Sequence, residues 1–493
     1  MRLLLLAVGV LLVPARLLFQ VIYNIFFHPL RKFPGPLTHR ATRLTYIYHA
    51  RNGVLHRRVR QLHERYGPVV RIAPNELSFA DERAWKDIYG HRIGEHGHQD
   101  ENEKWVVAYA GTKKAPTSLL SAPRAEHAYL RRLISHGFSD RSLRGQESMI
   151  RSHVDLLVSQ LREVGRGGQK AVNIRDWIAY TTFDIIGDVG FGASFDTLRK
   201  TDHRVWTNAF AGAGSRAALQ ATTRRMVLPD WLCDWIRRRQ GLGQANNSFR
   251  EYVHETVQAR MQWTVQRPDL VEGLLAKEKE DAIPTQRIVM TAALLLAAGF
   301  ETTSSLVTVT LYLLLCNPEY LAKVTKDIRA SYKSADEITL ASLEKQTYMI
   351  ACLDEALRWF PPIAAGLERE AMKGGTTVAG HFVPEGSIMG VPHWAASHLS
   401  ANFTQPDEYH PERWLGDPTF AGDKLEVVQP FMVGPRNCVG KNLATAEMRL
   451  ILALLLFNFD FSMPDKYVGW AEGQRFYNLW DRGPLEMFVA PVQ

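Results

Sequence analysis

Cys438 lies in the stretch Phe431-Met432-Val433-Gly434-Pro435-Arg436-Asn437-Cys438-Val439-Gly440, with an aromatic residue seven positions before it, an arginine two before it and a long apolar run, Leu450 to Phe457, after it. A lone cysteine in a glycine-punctuated loop is a sound way to present one thiolate to a metal. The ligating form is the anion, and a neighbouring guanidinium with unpaired N–H groups at the start of a following helix would lower the thiol pKa. Gly434 and Gly440 suit places where the backbone turns sharply or approaches something flat and bulky. The plain alternative is a buried core cysteine, which most lone cysteines are.

Three further groups of residues are spaced for chemistry. Glu301-Thr302-Thr303-Ser304-Ser305 puts a carboxylate and four hydroxyls into the middle of an otherwise apolar run, Ile288 to Leu315. Ionisable and hydroxylic groups in such a setting point to function, although a hydroxyl can also bond back to the carbonyl four residues earlier and bend the helix. His127 and Arg131 are four apart, so on a helix both would reach the same anion; a solvated basic face is the plain alternative. Glu355 and Arg358, three apart, could pair on a helix, with Arg413 in Pro411-Glu412-Arg413-Trp414 as a second cation; exposed, such a pair is worth only a few tenths of a kcal/mol.

These groups need a scaffold. Pro284 and Pro318 bracket a helix from about Thr285 to Asn317, which at 1.5 Å per residue would run nearly 50 Å. It is apolar on nearly all sides and so must be buried, and its central carboxylate and hydroxyls argue for protein rather than lipid around it. His63 to Pro74 reads as a helix end, a turn and a β-branched strand, and Val378 to Gly386 as a hairpin. Between them helical periodicity dominates, so the fold class is mainly α with a minor β region (α+β).

The pattern F-x-x-G-x-R-x-C-x-G resembles the haem-binding loop of the cytochrome P450 monooxygenases. Ala298-Gly299-Phe300-Glu301-Thr302-Thr303 matches that family's A/G-G-x-D/E-T-T/S motif, and E-x-x-R with P-E-R-F/W matches its Glu-Arg-Arg network. The resemblance implies the P450 fold with a long central helix over haem b (iron protoporphyrin IX), and Cys438 as its axial thiolate. Phe431 and Gly440 would flank the ligand, and Ala298 and Gly299 the oxygen side, where Gly299 leaves room for dioxygen or water. Thr302 would hydrogen-bond dioxygen as it is activated, and Glu301 would relay protons. Arg436, Arg131 and His127 (where the commonest family pattern has Trp) would hold the propionates, with Arg369 at the end of Phe360 to Arg369 as a further candidate. Glu355, Arg358 and Arg413 would lock the thiolate loop. No flavin or nicotinamide fingerprint occurs, so the resemblance implies electrons from NADPH through a membrane-bound NADPH-cytochrome P450 reductase, with cytochrome b5 as a second donor. Arg436, Lys441, Arg131 or Arg132 would meet the reductase's acidic surface. The segment Tyr66 to Leu77 resembles fungal members that tailor secondary metabolites, which suggests terpenoid or polyketide substrates.

Composition bounds the setting. The 493 residues include four scattered cysteines (Cys233, Cys316, Cys352, Cys438), which disfavours a disulfide scaffold and favours a reducing compartment. The net charge of +8 suits an anionic membrane surface or an acidic protein; no basic run with interleaved aromatics suggests nucleic acid. Residues 1–27 read as an N-terminal membrane anchor, with a cleaved signal peptide as the rival and Arg16 as the costly residue. Residues 28–36 read as a proline-rich hinge and 37–493 as the haem-binding monooxygenase domain. Arg31, Lys32, Arg40 and Arg43 then put that domain on the cytosolic side of the endoplasmic reticulum membrane. The sequons at Asn246 and Asn402 would stay unglycosylated and so report topology. Other functions share parts of this pattern: a haem-thiolate isomerase, dehydratase or peroxide-using enzyme, a non-catalytic haem sensor, or an all-α membrane protein with an incidental cysteine. The segments near 91–120 and 205–245, where substrate would touch, carry no readable code.

Overall fold

The computed structural model describes residues 14–93, 99–109, 118–192, 194–205, 207, 225, 235, 244–263, 269–278 and 283–492. Residues 1–13 of the expected anchor and most of 205–245 lie outside the described residues. The central helix runs unbroken from Thr285 to Cys316, one residue short of its expected end, and Leu306 to Leu314 along it are wholly buried. It packs side by side with a second apolar helix, Ile174–Phe191. Phe183 meets Phe300 edge to face at 5.2 Å, and the Thr182 hydroxyl donates to the Phe300 carbonyl. A Cβ at Gly299 would come within 2.8 Å of Ile186, so this glycine is what lets the two helices close.

The strand expected near the N-terminus is present, and it is joined in one sheet by strands from much later in the chain. Val69–Ala73 pairs antiparallel with Glu76–Phe79, which lies parallel to Ile388–Gly390; Arg369–Glu370 and Glu103–Lys104 complete five strands. The expected hairpin is Thr376–Val378 against His381–Val383, starting two residues early. The last short pair, Arg475–Phe476 and Trp480–Asp481, carries a tight tip with Asn478 at φ 79°.

Residues 28–36 do not hang free. Leu30 is wholly buried, the Arg71 N–H donates to the Pro34 carbonyl, and Asn24 donates to the Ala41 carbonyl, so this segment is tied to the sheet. Upstream of it, Leu17, Leu18, Phe19, Phe26 and Phe27 are exposed. The Asn402 amide is buried and donates to the Ala80 and Ala396 carbonyls. A glycan attached at this sequon would therefore be incompatible with the folded structure.

Candidate active site

The cysteine loop is folded by its own backbone. Met432 and Gly434 take left-handed φ values of 62° and 78°, and the Cys438 N–H donates to the Phe431 carbonyl at 2.8 Å. A Cβ at Gly434 would lie 1.9 Å from the Tyr89 carbonyl, so the turn requires glycine there. Gly440 differs. Its φ of −86° is open to any residue, and an added Cβ would make ordinary contact with Cys438 Sγ at 3.9 Å. Its N–H points to the thiol, just ahead of the helix Lys441–Asn458.

The thiol opens onto a partly open cavity of about 650 Å³, also lined by Phe431, Gly440, Ala298, Gly299 and Thr302. Burial pushes the Cys438 thiol pKa up; the Gly440 N–H, Arg131 and Lys441 pull it down but do not win. This corrects the expected lowering, and the guanidinium beside the sulfur is that of Arg131 rather than Arg436. Across the cavity the Thr302 hydroxyl donates to the Ala298 carbonyl at 2.6 Å, the local bond weighed from sequence, without breaking the helix. Glu301 lies off the cavity lining and pairs with Arg482 at 2.6 Å. Gly299 lines the cavity, and the space its side chain would fill faces Ile186, another lining residue, so this glycine also serves the packing of the two helices.

His127 and Arg131, on the helix Arg124–Ser135, both reach the cavity, as does Arg436. Arg131 donates to the Asn437 carbonyl and side chain, each at 2.5 Å, tying this helix to the cysteine loop. Arg436 is paired with Glu101 and donates to the Ala122 carbonyl; its side chain is 3% exposed, so it cannot meet a redox protein. Of the basic residues suggested for that contact, Arg132 and Lys441 are exposed. Arg369 stands behind the lining, bonded to the Tyr109 hydroxyl and the Leu367 and Glu368 carbonyls. Lys104, which no sequence signal marks, joins the wall. The pKa of His127 is driven down to about 3 by burial and then by Arg436, Lys104, Arg131 and Arg369. Burial, Arg369 and Arg436 likewise depress Lys104. Such a gathering of cations beside an apolar cavity is suited to carboxylates.

The Glu355 carboxylate holds Arg358 at 2.8 Å and Arg413 at 3.3 Å, all three side chains having no exposure. Trp414 Nε1 and the His410 N–H also donate to it, and Asp423 adds a second anion to Arg413. Sequence reasoning found the triad and missed Asp423.

It also missed Glu447, although an acid in an apolar helix nine residues past the cysteine is the same kind of signal as Glu301. Glu447 is buried on the cavity wall beside the Thr303 hydroxyl, and burial holds its pKa well above the carboxylate range. Stability from the neutral form is therefore complete below the unfolded-state pKa near 4.3 and is lost as pH rises toward the higher folded-state value. Glu447→Gln should lose less thermal stability than wild type between pH 5 and pH 8; parallel melting curves would refute the assignment.

The family model described as Cytochrome P450 matches residues 34–471. The chain is 44% identical over 487 residues to cytochrome P450 monooxygenase tpeC of Talaromyces stipitatus, covering 98% of this chain and 94% of that protein. It is 38% identical over 483 residues to trichothecene C-15 hydroxylase of Fusarium sporotrichioides, covering 97% and 96% of the two chains. With averantin hydroxylase of Dothistroma septosporum the identity is 37% over 475 residues, covering 96% and 88%. Matched by that family along most of its length, and by these relatives along nearly all of it, the protein belongs to the cytochrome P450 family and is a monooxygenase.

Proposed function

We propose that this monooxygenase carries haem b on Cys438 and oxidises a hydrophobic small molecule, a terpenoid or polyketide of fungal secondary metabolism, with electrons from NADPH delivered by NADPH-cytochrome P450 reductase and cytochrome b5 as a second donor. The observation that carries the reading is that the Cys438 thiol and the Thr302 hydroxyl line one largely apolar cavity. The relatives named as hydroxylases of a trichothecene and of averantin support the substrate class.

The residues present fit a haem. Cys438 offers a soft anionic ligand once its proton leaves, and Gly440 adds no side chain above the sulfur. Arg131, Arg436, His127 and Lys104 supply charge and donors for two propionates, with Arg369 reinforcing the field from behind. Haem so held supplies reductive activation of dioxygen for insertion of one oxygen atom into a C–H bond. The protein's part is then proton handling and exclusion of water. Thr302 releases its hydroxyl from Ala298 and offers it to the oxygen side; Glu301, partly exposed and held by Arg482, brings protons from solvent to that helix. In this reading residues 1–27 form an anchor in the endoplasmic reticulum membrane, 28–36 the connecting segment and 37–493 the catalytic domain facing the cytosol. The exposed apolar side chains from Leu17 to Phe27 support membrane contact.

Membranes holding this protein and an NADPH reductase, given the metabolite that accumulates when the gene is deleted and isotopically labelled dioxygen, should yield product carrying one labelled oxygen atom. Label entering only from water, or turnover independent of NADPH, would refute the reading. Thr302→Ala should keep NADPH consumption while product per NADPH falls by at least roughly tenfold and peroxide rises; unchanged coupling at saturating substrate would remove Thr302 from proton delivery.

A further inference from the structure

The last short hairpin serves the central helix as well as the cavity. Its tip, Phe476 to Leu479, lines the cavity, and Arg482 follows directly on its second strand, Trp480–Asp481. The backbone at Arg482 is firmly seated. Arg175 donates to the Arg482 carbonyl, the Gly483 N–H to Gln474 Oε1 at 3.0 Å and the Leu485 N–H to Asn173 Oδ1 at 2.9 Å. A side chain launched from such a mount has little freedom in where it ends.

It ends on the central helix. Arg482 Nη2 donates to the Glu301 carboxylate at 2.6 Å and to the Ser304 hydroxyl at 3.3 Å, and Ser304 in turn donates to the Glu301 carbonyl at 3.2 Å. Among the described residues these are the only hydrogen bonds of the Arg482 side chain, because Nε and Nη1 are buried and meet no acceptor. Arg358 shows the contrast, with three carbonyls and a carboxylate around its guanidinium. A guanidinium only 4% exposed and so poorly satisfied costs folding stability rather than adding to it. Its ion pair therefore has another use. Glu301 is 15% exposed and lies off the cavity lining, one residue before Thr302, which is on that lining. A carboxylate this far from water is costly without a cation, and freed of one it would turn out to solvent.

We infer that Arg482 is a positioning residue for the oxygenation: it holds the Glu301 carboxylate at the solvent edge of the central helix, beside Thr302, where a proton taken from water can be handed inward. This rests on the proposed role of Glu301 as the proton relay. Arg482 gives and takes no proton itself. It lies off the cavity lining and acts through Glu301 alone. Because one nitrogen does the holding, a lysine ammonium can stand in for it.

The test is a double-mutant cycle on the full-length holoprotein in membranes with NADPH reductase, run in light and heavy water on the metabolite that accumulates when the gene is deleted. Arg482→Met and Glu301→Gln should each slow product formation at saturating substrate by at least about tenfold and raise the solvent deuterium isotope effect at least about twofold over wild type. The double variant, which leaves neither charge of the pair behind, should be no more than about twofold slower than either single one, because both changes act on one group. Arg482→Lys should return the rate to within about threefold of wild type. Substrate affinity, read from difference spectra, should change less than about twofold in every variant. Arg482→Met at the wild-type rate and isotope effect, losses that multiply in the double variant, substrate affinity weakened about tenfold by Arg482→Met, or Arg482→Lys as slow as Arg482→Met would each overturn the inference. If Arg482→Met does not fold, the double variant and Arg482→Lys still decide, the first expected slow with a raised isotope effect and the second near wild type; any other result overturns it. A wild-type rate in Glu301→Gln would remove the relay reading and this inference with it, whereas a slow Glu301→Gln beside an unaffected Arg482→Met removes this inference alone.

Discussion

Cys438→Ala is expected to give a protein whose reduced, carbon-monoxide-treated form lacks the Soret band of thiolate-ligated haem and whose NADPH-dependent product falls below detection. No other described cysteine can take over. Cys352 is wholly buried, with its thiol pushed up to about 12 by burial, and Cys316 ends the central helix beside Tyr312 and Glu472. Among the described cysteines only Cys438 combines an opening onto the cavity with an N–H donor and two nearby cations. Those groups do not ionise the thiol by themselves, so haem loading has to displace a proton and should strengthen as pH rises. A full thiolate-type band in the alanine variant would move the ligand elsewhere.

Glu355→Gln should cost about 3 to 5 kcal/mol of folding stability, because it leaves two buried guanidinium groups short of their shared anion. Arg358 would keep its bonds to the Ser397, Pro406 and Glu408 carbonyls, and Arg413 its contact with Asp423, so the fold need not collapse. What suffers first is the segment from Pro406 to Trp414, which leads into the cysteine loop and which the carboxylate ties to the helix Thr347–Trp359. Denaturant unfolding of the variant and haem content after purification measure the two effects together. A loss under about 1 kcal/mol with full haem content would reduce the network to an ordinary ion pair.

Much of this was legible in the sequence because the decisive groups are local. The cysteine loop, the acid and alcohols of the central helix, the i, i+4 pair at His127 and Arg131, and the Glu355 and Arg358 pair each announce themselves within a few residues, and prolines mark the central helix. What was not legible depends on contacts between distant segments. Whether the Cys438 pKa rises or falls turns on how far the surrounding fold takes water from the sulfur, which no local pattern states. Arg436 looked like a solvent-facing cation, yet Glu101, some 335 positions away, claims it. Lys104, Arg225 and Arg482 carry no motif, and each acquires meaning only from a carboxylate, carbonyl or aromatic ring brought to it by the fold. Gly299 was legible as a glycine that matters but not as the point where two helices meet.

That meeting point bears on how such a protein can diversify. Because Gly299 lets the central helix lie against Ile186, and Thr182 and Phe183 fasten Phe300 just beside it, the oxygen-side wall is clamped from behind. A residue exchanged there would disturb the reaction itself. The wall that carries His56 is held instead by side-chain packing, the imidazole sitting edge-on between Trp394 and Trp480. Exchanges within that box would reshape the cavity while leaving the central helix and its clamp as they are.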